Sequence, residues 1–533
     1  IKRKHIMAKD KNMEKEVTRP GNISRRDVIK GLSTIPFIGA FAAAWFRKGS
    51  VEKQLKEKLL EVVNLTSEPV DLALPAQGSK TLRLGIIGFG IRGRHLMRAT
   101  GHAEPTWIDE AKAAALENPL NTSYEDFMNQ ENLNVEISGI CDIFDIYAEE
   151  AILTGSNVHR QGKDGKMGKA PRRYLNYKEM MASPEIDAVI IAAPDHWHAT
   201  MAVEAARMGK HIYLEKPMTW TVPETYELVK AVKENHIVFQ LGHQGRQTES
   251  YGKAKEAIQK NILGKITLVE VCTNRNDPNG AWVYPIHEKA TRQNIDWMQF
   301  IGPAPYHDFS LERFFRWRCW WDYSTGLNGD LLTHEYDCVN QIMGIGIPDS
   351  VVASGGIYFF KDGRTVPDVQ NVVMEFQDRD LTLLYSASLA SDRQRGKVIM
   401  GHDANMEISD RLIIHADPRS TAYQDKIENG TIDPLIPIYS FTPGKKGIDG
   451  IASATEQYFA SRGLLYTYRQ GKRVDTTFLH MREWINCIHA GIQPSCNIDQ
   501  GFEEAITAHM ATIALREGKK IYWDREKREI VAP

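Results

Sequence analysis

The sequence predicts an α/β fold: a doubly wound parallel sheet, followed by an α+β domain with an open, largely antiparallel sheet. Three observations carry that expectation. Short strand-like runs alternate with helical stretches from Leu82 to Leu241, the pattern of a parallel sheet covered by helices. One of these runs, Ala188-Val189-Ile190-Ile191-Ala192-Ala193, is apolar throughout, as a strand buried on both faces is. After about His243 the alternation stops, and strand patterns cluster at 266–273, 350–359, 370–376, 381–387 and 398–408.

Taken in order, the elements begin with a basic segment and then Ser24-Arg25-Arg26-Asp27-Val28-Ile29-Lys30, followed by a mostly apolar run to Phe46. Twin arginines before a moderate apolar run read as a twin-arginine export signal, with Val28 and Ile29 where Phe and Leu are usual. The run is short for a membrane span, which needs roughly 20 residues. Residues 1–47 are therefore read as the export signal and 48–80 as a linker with a helix at 50–65. The dinucleotide-binding domain is placed at 81–243 and the α+β domain at 244–533, with an insertion over one face at about 418–470. Strands are expected at 82–87, 135–142, 188–194, 210–217 and 237–241, and helices at 199–208, 223–235, 251–260, 475–490 and 501–516. The predicted location is the periplasm or another exported site, with the twin-arginine machinery as a partner and a membrane anchor if the signal stays attached.

Composition narrows the function. The 533 residues exceed what one simple core holds. A net charge of −2 supplies no basic field for nucleic acid. The cysteines at 141, 272, 319, 338, 487 and 496 form no CxxC pair, so no zinc or redox motif, and no other metal site, is expected.

Gly88-Phe89-Gly90-Ile91-Arg92-Gly93 follows the first strand directly and opens a helix. Gly88 permits the tight turn, Gly90 lets backbone approach a pyrophosphate, and Gly93 lets helix pack on strand. The helix N-terminus then faces the phosphates. Asp142, ending the second strand, is the candidate acceptor for the adenosine ribose hydroxyls, which favours NAD, with NADP the alternative. It lies farther along than the usual spacing because 101–131 is an insertion.

Together with Asp187-Ala188-Val189, Ala193-Pro194-Asp195-His196-Trp197-His198 and Glu215-Lys216-Pro217, this glycine motif resembles the Gfo/Idh/MocA oxidoreductases from about Thr81 to the C-terminal helices. The resemblance implies that Lys216 is catalytic beside the nicotinamide, with Glu215 setting its position, and that Ala193, Pro194, His196 and His198 neighbour the cofactor. It also implies catalytic roles for Asp330 and His334, which match an Asp-x-x-x-His spacing. Four apart on a helix, they share a face. His334 is expected to titrate near neutrality as the general base, Asp330 to orient it or bind a hydroxyl, and Asp337 to hold its other nitrogen. Candidate substrate contacts are Trp197, Gln244, Arg246, Trp320, Trp321, Tyr323 and Asp337; the aromatics among 314–323 suit either a sugar-binding wall or a domain interface.

The expected function is an NAD(P)-dependent oxidoreductase acting on a sugar, polyol or sugar derivative. The alternative is a redox-neutral NAD-dependent glycoside hydrolase or epimerase, and a lesser one is a non-catalytic sugar or cofactor sensor. Export implies a tightly bound cofactor, and the open sheet implies a dimer or tetramer.

Overall fold

The computed structural model describes residues 63–66, 80–118, 121–156, 168–277, 279–443, 466–469 and 472–532. The export signal read at 1–47, and nearly all of the 48–80 linker with its helix, lie outside these residues.

Six parallel strands form the first sheet: β1 (Leu82–Ile87), β2 (Val135–Cys141), β3 (Arg172–Arg173), β4 (Ala188–Ile191), β5 (His211–Leu214) and β6 (Phe239–Leu241). Their order is β3-β2-β1-β4-β5-β6, so the winding reverses between β1 and β4. Ligands of such sheets bind outside the carboxyl ends of the strands at that reversal. The topology therefore delivers five predicted or neighbouring features to one rim: the Gly88 loop after β1, Asp142 after β2, Ala193-Pro194 after β4, Lys216 after β5 and His243 after β6. The insertion at 101–131 folds as two helices, Pro105–Glu117 and Ser123–Met128, joined through their own small apolar contact of Ala103, Ile108 and Phe127.

The sheet's two faces are completed by the far end of the chain. On one, Leu84, Ile86, Ile190 and Tyr213 pack with Phe478, Leu479, Trp484 and Ile485 of the helix Thr476–Ala490. On the other, Ile191, Leu214, Met218 and Leu241 pack with Ile498 and Ala505 of the helix Ile498–Glu517. Both helices start on a side-chain cap, Asp475 and Asn497, each accepting from backbone N–H groups of the first turn. Trp484 is fully buried, and its truncation to alanine costs about 3–5 kcal/mol.

The second sheet contains β7 (Ile266–Asn274), β8 (Ser350–Gly356), β9 (Val369–Phe376), β10 (Leu381–Ser388), β11 (Lys397–Gly401), β12 (Ala404–Ile408), β13 (Leu412–Ala416) and β14 (Tyr439–Phe441). β15 (Tyr466–Arg469) and β16 (Lys472–Asp475) make a separate hairpin, and β17 (Ile521–Asp524) and β18 (Glu529–Val531) return to the large sheet. The order is β14-β13-β12-β11-β7-β10-β9-β8-β17-β18, antiparallel except for the β7–β10 pair. Strict alternation of buried and half-buried residues along β10 is what a sheet with one covered face requires.

Three expectations for this domain are corrected. The single strand expected at 398–408 is the hairpin β11–β12, because Gly401, which has no side chain, allows the Leu263 backbone to close on it and turn the chain. The strand expected at 350–359 stops at Gly356, where the Asp368 carboxylate gathers the backbone N–H groups of Tyr358, Phe359 and Phe360 at 2.7–2.8 Å. Part of the 418–470 insertion expected over one face instead extends the sheet edge, where β14 pairs with β13.

Candidate active site

The glycine loop is built for close approach. Gly88 has φ +86°, and a Cβ there would meet the Ala192 carbonyl oxygen at 2.6 Å. A Cβ on Gly93 would meet the Gly88 carbonyl oxygen at 2.2 Å, whereas one on Gly90 would meet nothing within 4 Å. Gly90 is the N-cap of the helix Ile91–Ala99, which has no side-chain cap and no acid in its first turn. Its end therefore presents backbone N–H groups and a positive dipole to the space above Gly90, which fits a dinucleotide's pyrophosphate. Asp142 braces this loop: one carboxylate oxygen accepts from Phe89 N–H at 2.6 Å, the other from Phe144 N–H at 2.9 Å. Burial pushes its carboxyl up to about 6, and those two backbone N–H groups pull against the rise.

Lys216 follows β5, and the peptide it makes with Pro217 is cis. Its ammonium donates to the Asp330 carboxylate and to the Asp330 carbonyl, both at 2.8 Å. Asp330 stands in a π-helical turn, Asn328–Leu332, that runs into the helix Thr333–Met343. A Cβ on Gly329 would meet Thr325 Oγ1 at 1.7 Å and Pro217 at 3.0 Å, so glycine is what brings this turn against the lysine loop. Asp330 accepts two further bonds, from Trp282 Nε1 at 3.0 Å and Arg318 Nε at 3.3 Å. Burial opposes its ionisation, but Lys216 and Arg318 outweigh burial and hold the carboxyl far below the usual carboxylate range. Trp282 is buried and has φ +64°, a backbone region that costs a non-glycine residue on the order of 1–3 kcal/mol; its indole bond to Asp330 is part of what holds it there.

His334, one turn beyond Asp330, meets His243: their Nδ1 atoms are 3.2 Å apart and the rings stand at 87°. The far nitrogen of His243, Nε2, is ion-paired with the fully buried Glu504 of the helix Ile498–Glu517. One of the two facing Nδ1 atoms donates and the other accepts. The roles follow the His243 charge: when Glu504 holds the single proton of a neutral His243 on Nε2, its Nδ1 accepts from His334 and the His334 Nε2 keeps a lone pair, whereas a protonated His243 donates through Nδ1 and its charge depresses His334. Burial first, then the charges of Lys216 and His243, hold His334 well below the ordinary imidazole range, so it is neutral around pH 7.

The model of the oxidoreductase family's NAD-binding Rossmann fold (Gfo/Idh/MocA) matches residues 82–243, and that of the same family's C-terminal alpha/beta domain matches residues 255–522. The chain belongs to the Gfo/Idh/MocA oxidoreductase family. NAD is the cofactor of its first domain. Among relatives, a levoglucosan dehydrogenase of Pseudarthrobacter phenanthrenivorans is 27% identical over 186 residues, 34% of this chain and 42% of that one. A glycosyl hydrolase family 109 protein of Shewanella baltica is 31% identical over 116 residues, 21% of this chain and 24% of that one. The chain spans about half, or less, of the length of such curated relatives. A solved levoglucosan dehydrogenase in complex with NADH and levoglucosan shares the fold, with TM-score 0.53 and 17% identity over 83% of this chain and 99% of that one.

Within this Gfo/Idh/MocA frame, several sequence expectations move. Glu215 does not position Lys216; it binds Arg92 Nε at 2.7 Å, and Arg92 reaches on to Gln244 at 3.1 Å. Asp330 holds the lysine in its place, and no hydrogen bond joins Asp330 to His334. Asp337 does not hold His334; it is locked with Arg246 in a buried ion pair at 2.5 Å. His334 does not titrate near neutrality, for the reasons of burial and charge given above. His196 donates through Nε2 to the Phe300 carbonyl at 2.8 Å, is fully buried, and burial pulls it down to about 4. Trp197 donates to the same carbonyl at 2.9 Å. Trp320 and Tyr323 are buried, Tyr323 against Phe300, and Trp321 gives its carbonyl to Trp220 Nε1 at 3.1 Å. Trp320 and Tyr323 thus serve the packing between the two domains, while Trp197 and Trp321 are half-buried at its edge. The two nitrogens of His198 meet the Pro217 and Ala193 carbonyls at 2.6 and 2.8 Å, tying the lysine loop to the loop after β4. All six cysteines are buried and unbridged.

Sequence reasoning missed His243, Glu504, Trp282 and Arg318. His243 had a signal, since it follows a strand of the parallel sheet as Lys216 and Asp142 do, and Arg318 sits among the aromatics at 314–323. Glu504 lies mid-helix among ordinary polar residues and had none.

Proposed function

We propose that the chain is an NAD-dependent oxidoreductase that oxidises a hydroxyl-bearing carbon of a sugar, polyol or sugar derivative. The observation that carries this reading is the meeting of Lys216, Asp330 and His334 at the strand ends beside the glycine loop. Bound NAD supplies the hydride acceptor. Gly88, Gly90, Gly93 and the helix start at Ile91 hold its pyrophosphate, and Asp142 its adenosine ribose. Lys216, aimed by Asp330, donates a hydrogen bond to the substrate hydroxyl oxygen. The neutral His334 takes the hydroxyl proton through Nε2, while His243 and Glu504 hold its tautomer. The aromatic packing around Phe300 and Tyr323 keeps water from the domain boundary.

The test is NADH formation at 340 nm from a panel of sugars and polyols with purified protein. Turnover that survives Lys216→Ala and His334→Ala would remove this assignment. A second reading is a redox-neutral glycoside hydrolase or epimerase, which the stretch similar to a glycosyl hydrolase family 109 protein favours. It is selected by aglycone release from aryl glycosides without NADH accumulation. We further infer export through Arg25 and Arg26 with cofactor already held; retention of an Arg25→Lys, Arg26→Lys protein in the cytoplasm supports this, and unchanged export rejects it.

A further inference from the structure

The charges around the proposed site do not balance. Asp330 is one carboxylate, and it is shared by Lys216 and Arg318. A third cation, Arg275, follows directly on β7. Side chains two apart on a strand share a face. Thr273, two residues before Arg275, donates through its hydroxyl at 2.9 Å to Glu335, the neighbour of His334. Arg275 therefore projects toward the same helix, and its charge acts on both Asp330 and His334. Its backbone is fixed there by an N–H bond to the Ser388 carbonyl at 2.9 Å, at the end of β10.

The other carboxylates nearby are committed. Glu335 is paired with Lys397 at 3.0 Å, Asp337 with Arg246 and Glu215 with Arg92. Asp195 accepts twice from Thr325, at 2.8 and 2.9 Å. The Arg275 guanidinium has no hydrogen bond or ion pair among the described residues and is half-buried. Arg318 spends only Nε on Asp330; its plane lies over the Trp317 ring at 4.1 Å, and its two terminal nitrogens have no partner among the described residues. With His334 neutral, Lys216, Arg318 and Arg275 face Asp330, and Asp195 lies on the Arg318 side; neither carboxylate bonds the Arg275 guanidinium, so a neutral sugar would leave that cation without an ion-pair partner.

We propose that the substrate is a sugar acid, whose carboxylate is taken by the free guanidinium edge of Arg275, with Arg318 alongside, while Lys216 and His334 address a hydroxyl. The planar fork of arginine matches two carboxylate oxygens in a way a hydroxyl does not. This rests on the function proposed above for the same site, and narrows it to an anionic class.

The experiment measures binding of glucose, glucuronate, galactose, galacturonate and glucose 6-phosphate to the NADH-loaded protein by calorimetry, with NADH formation assayed in parallel. In at least one pair the uronate should bind about 10-fold or more tightly than its neutral partner, the scale of a charge-assisted hydrogen-bond pair. Arg275→Gln should bring that ratio near one, and Arg275→Lys should leave it between the two. The melting temperature and NADH affinity of each variant report that the fold is kept. If uronates bind selectively through Arg275 but no sugar reduces NAD, the redox assignment fails and this one stands. If neutral sugars reduce NAD with no preference for uronates, the redox assignment stands and this one is overturned. Tighter binding of the sugar phosphate than of either uronate, or a preference that survives Arg275→Gln, also overturns it.

Discussion

The cofactor end and the substrate end of this cleft are built in opposite ways. The glycine loop is six contiguous residues whose work is done by backbone: a positive φ at Gly88, open space at Gly90, a helix end with free N–H groups. The substrate end is side-chain chemistry gathered from distant segments: Lys216 after β5, His243 after β6, Asp330 and His334 from one helix entry, Glu504 from another helix, Arg275 after β7. One end is defined by what is missing, the Cβ atoms; the other by how charges offset each other. A single substitution at the first should disturb shape, and at the second should disturb proton traffic while shape survives.

The largest effect expected on that contrast comes from Lys216→Ala and His334→Ala. Each should lower kcat about 100- to 10,000-fold, with NADH affinity nearly unchanged by fluorescence titration. The double variant should lose little more than the worse single one, since both groups serve one proton. An equal loss of NADH binding would erase the division between the two ends. Gly93→Ala should do the reverse: its methyl group collides with the Gly88 carbonyl, and the strain should weaken NADH binding on the order of 10- to 100-fold, leaving the charge cluster intact.

His243→Phe sharpens the substrate end. It removes the charge that helps depress His334 and the partner that holds its tautomer. A kcat loss of about tenfold is expected from the buried Glu504 and His334 groups left without that partner. The pH profile separates positioning from bulk structure. In the parent, neutral His334 persists well below pH 6.5, so kcat/KM should stay flat there; in the variant the acid limb should move up toward pH 6.5. A limb that stays put would show that His243 acts on packing alone. The smallest effect belongs to the cofactor end. Asp142, pushed up to about 6, loses its charge as pH falls through that value, and a protonated carboxyl is the poorer acceptor for ribose hydroxyls. NAD affinity should therefore fall below about pH 6, by up to about tenfold per unit, and Asp142→Asn should flatten the profile.

The same contrast explains what could be read before the structure. Leu82–Ile87 and Gly88–Gly93 are contiguous, and their pattern is enforced by local sterics, so strand, turn and helix start were all legible. Lys216 and the Asp330–His334 pair were legible through motif and spacing. The π-helical turn at Asn328–Leu332 was not, because it answers to the contact of Gly329 with Pro217, which no local propensity encodes. Glu215, Asp337 and His334 were each given the wrong partner for one reason. Spacing ranks neighbours along the chain, whereas burial lets each charge take whichever opposite charge the fold brings near, here Arg92 for Glu215 and Arg246 for Asp337. The aromatics at Trp320 and Tyr323 offered both a packing and a binding reading, and burial decided between them.

The helix Thr476–Ala490 closes one face of the first sheet although nearly the whole second domain separates them in the chain. During synthesis the six parallel strands leave the ribosome long before Trp484 does. Until it arrives, Leu84, Ile86 and Ile190 have an uncovered face, and the strands are an open half-layer rather than a finished domain. A ribosome-bound chain stopped near residue 250 should therefore be sensitive to protease, and cofactor should be captured only once the last quarter has been made. Maturation of the nucleotide site should thus wait for this helix, and a chain stopped before it should bind NAD more weakly.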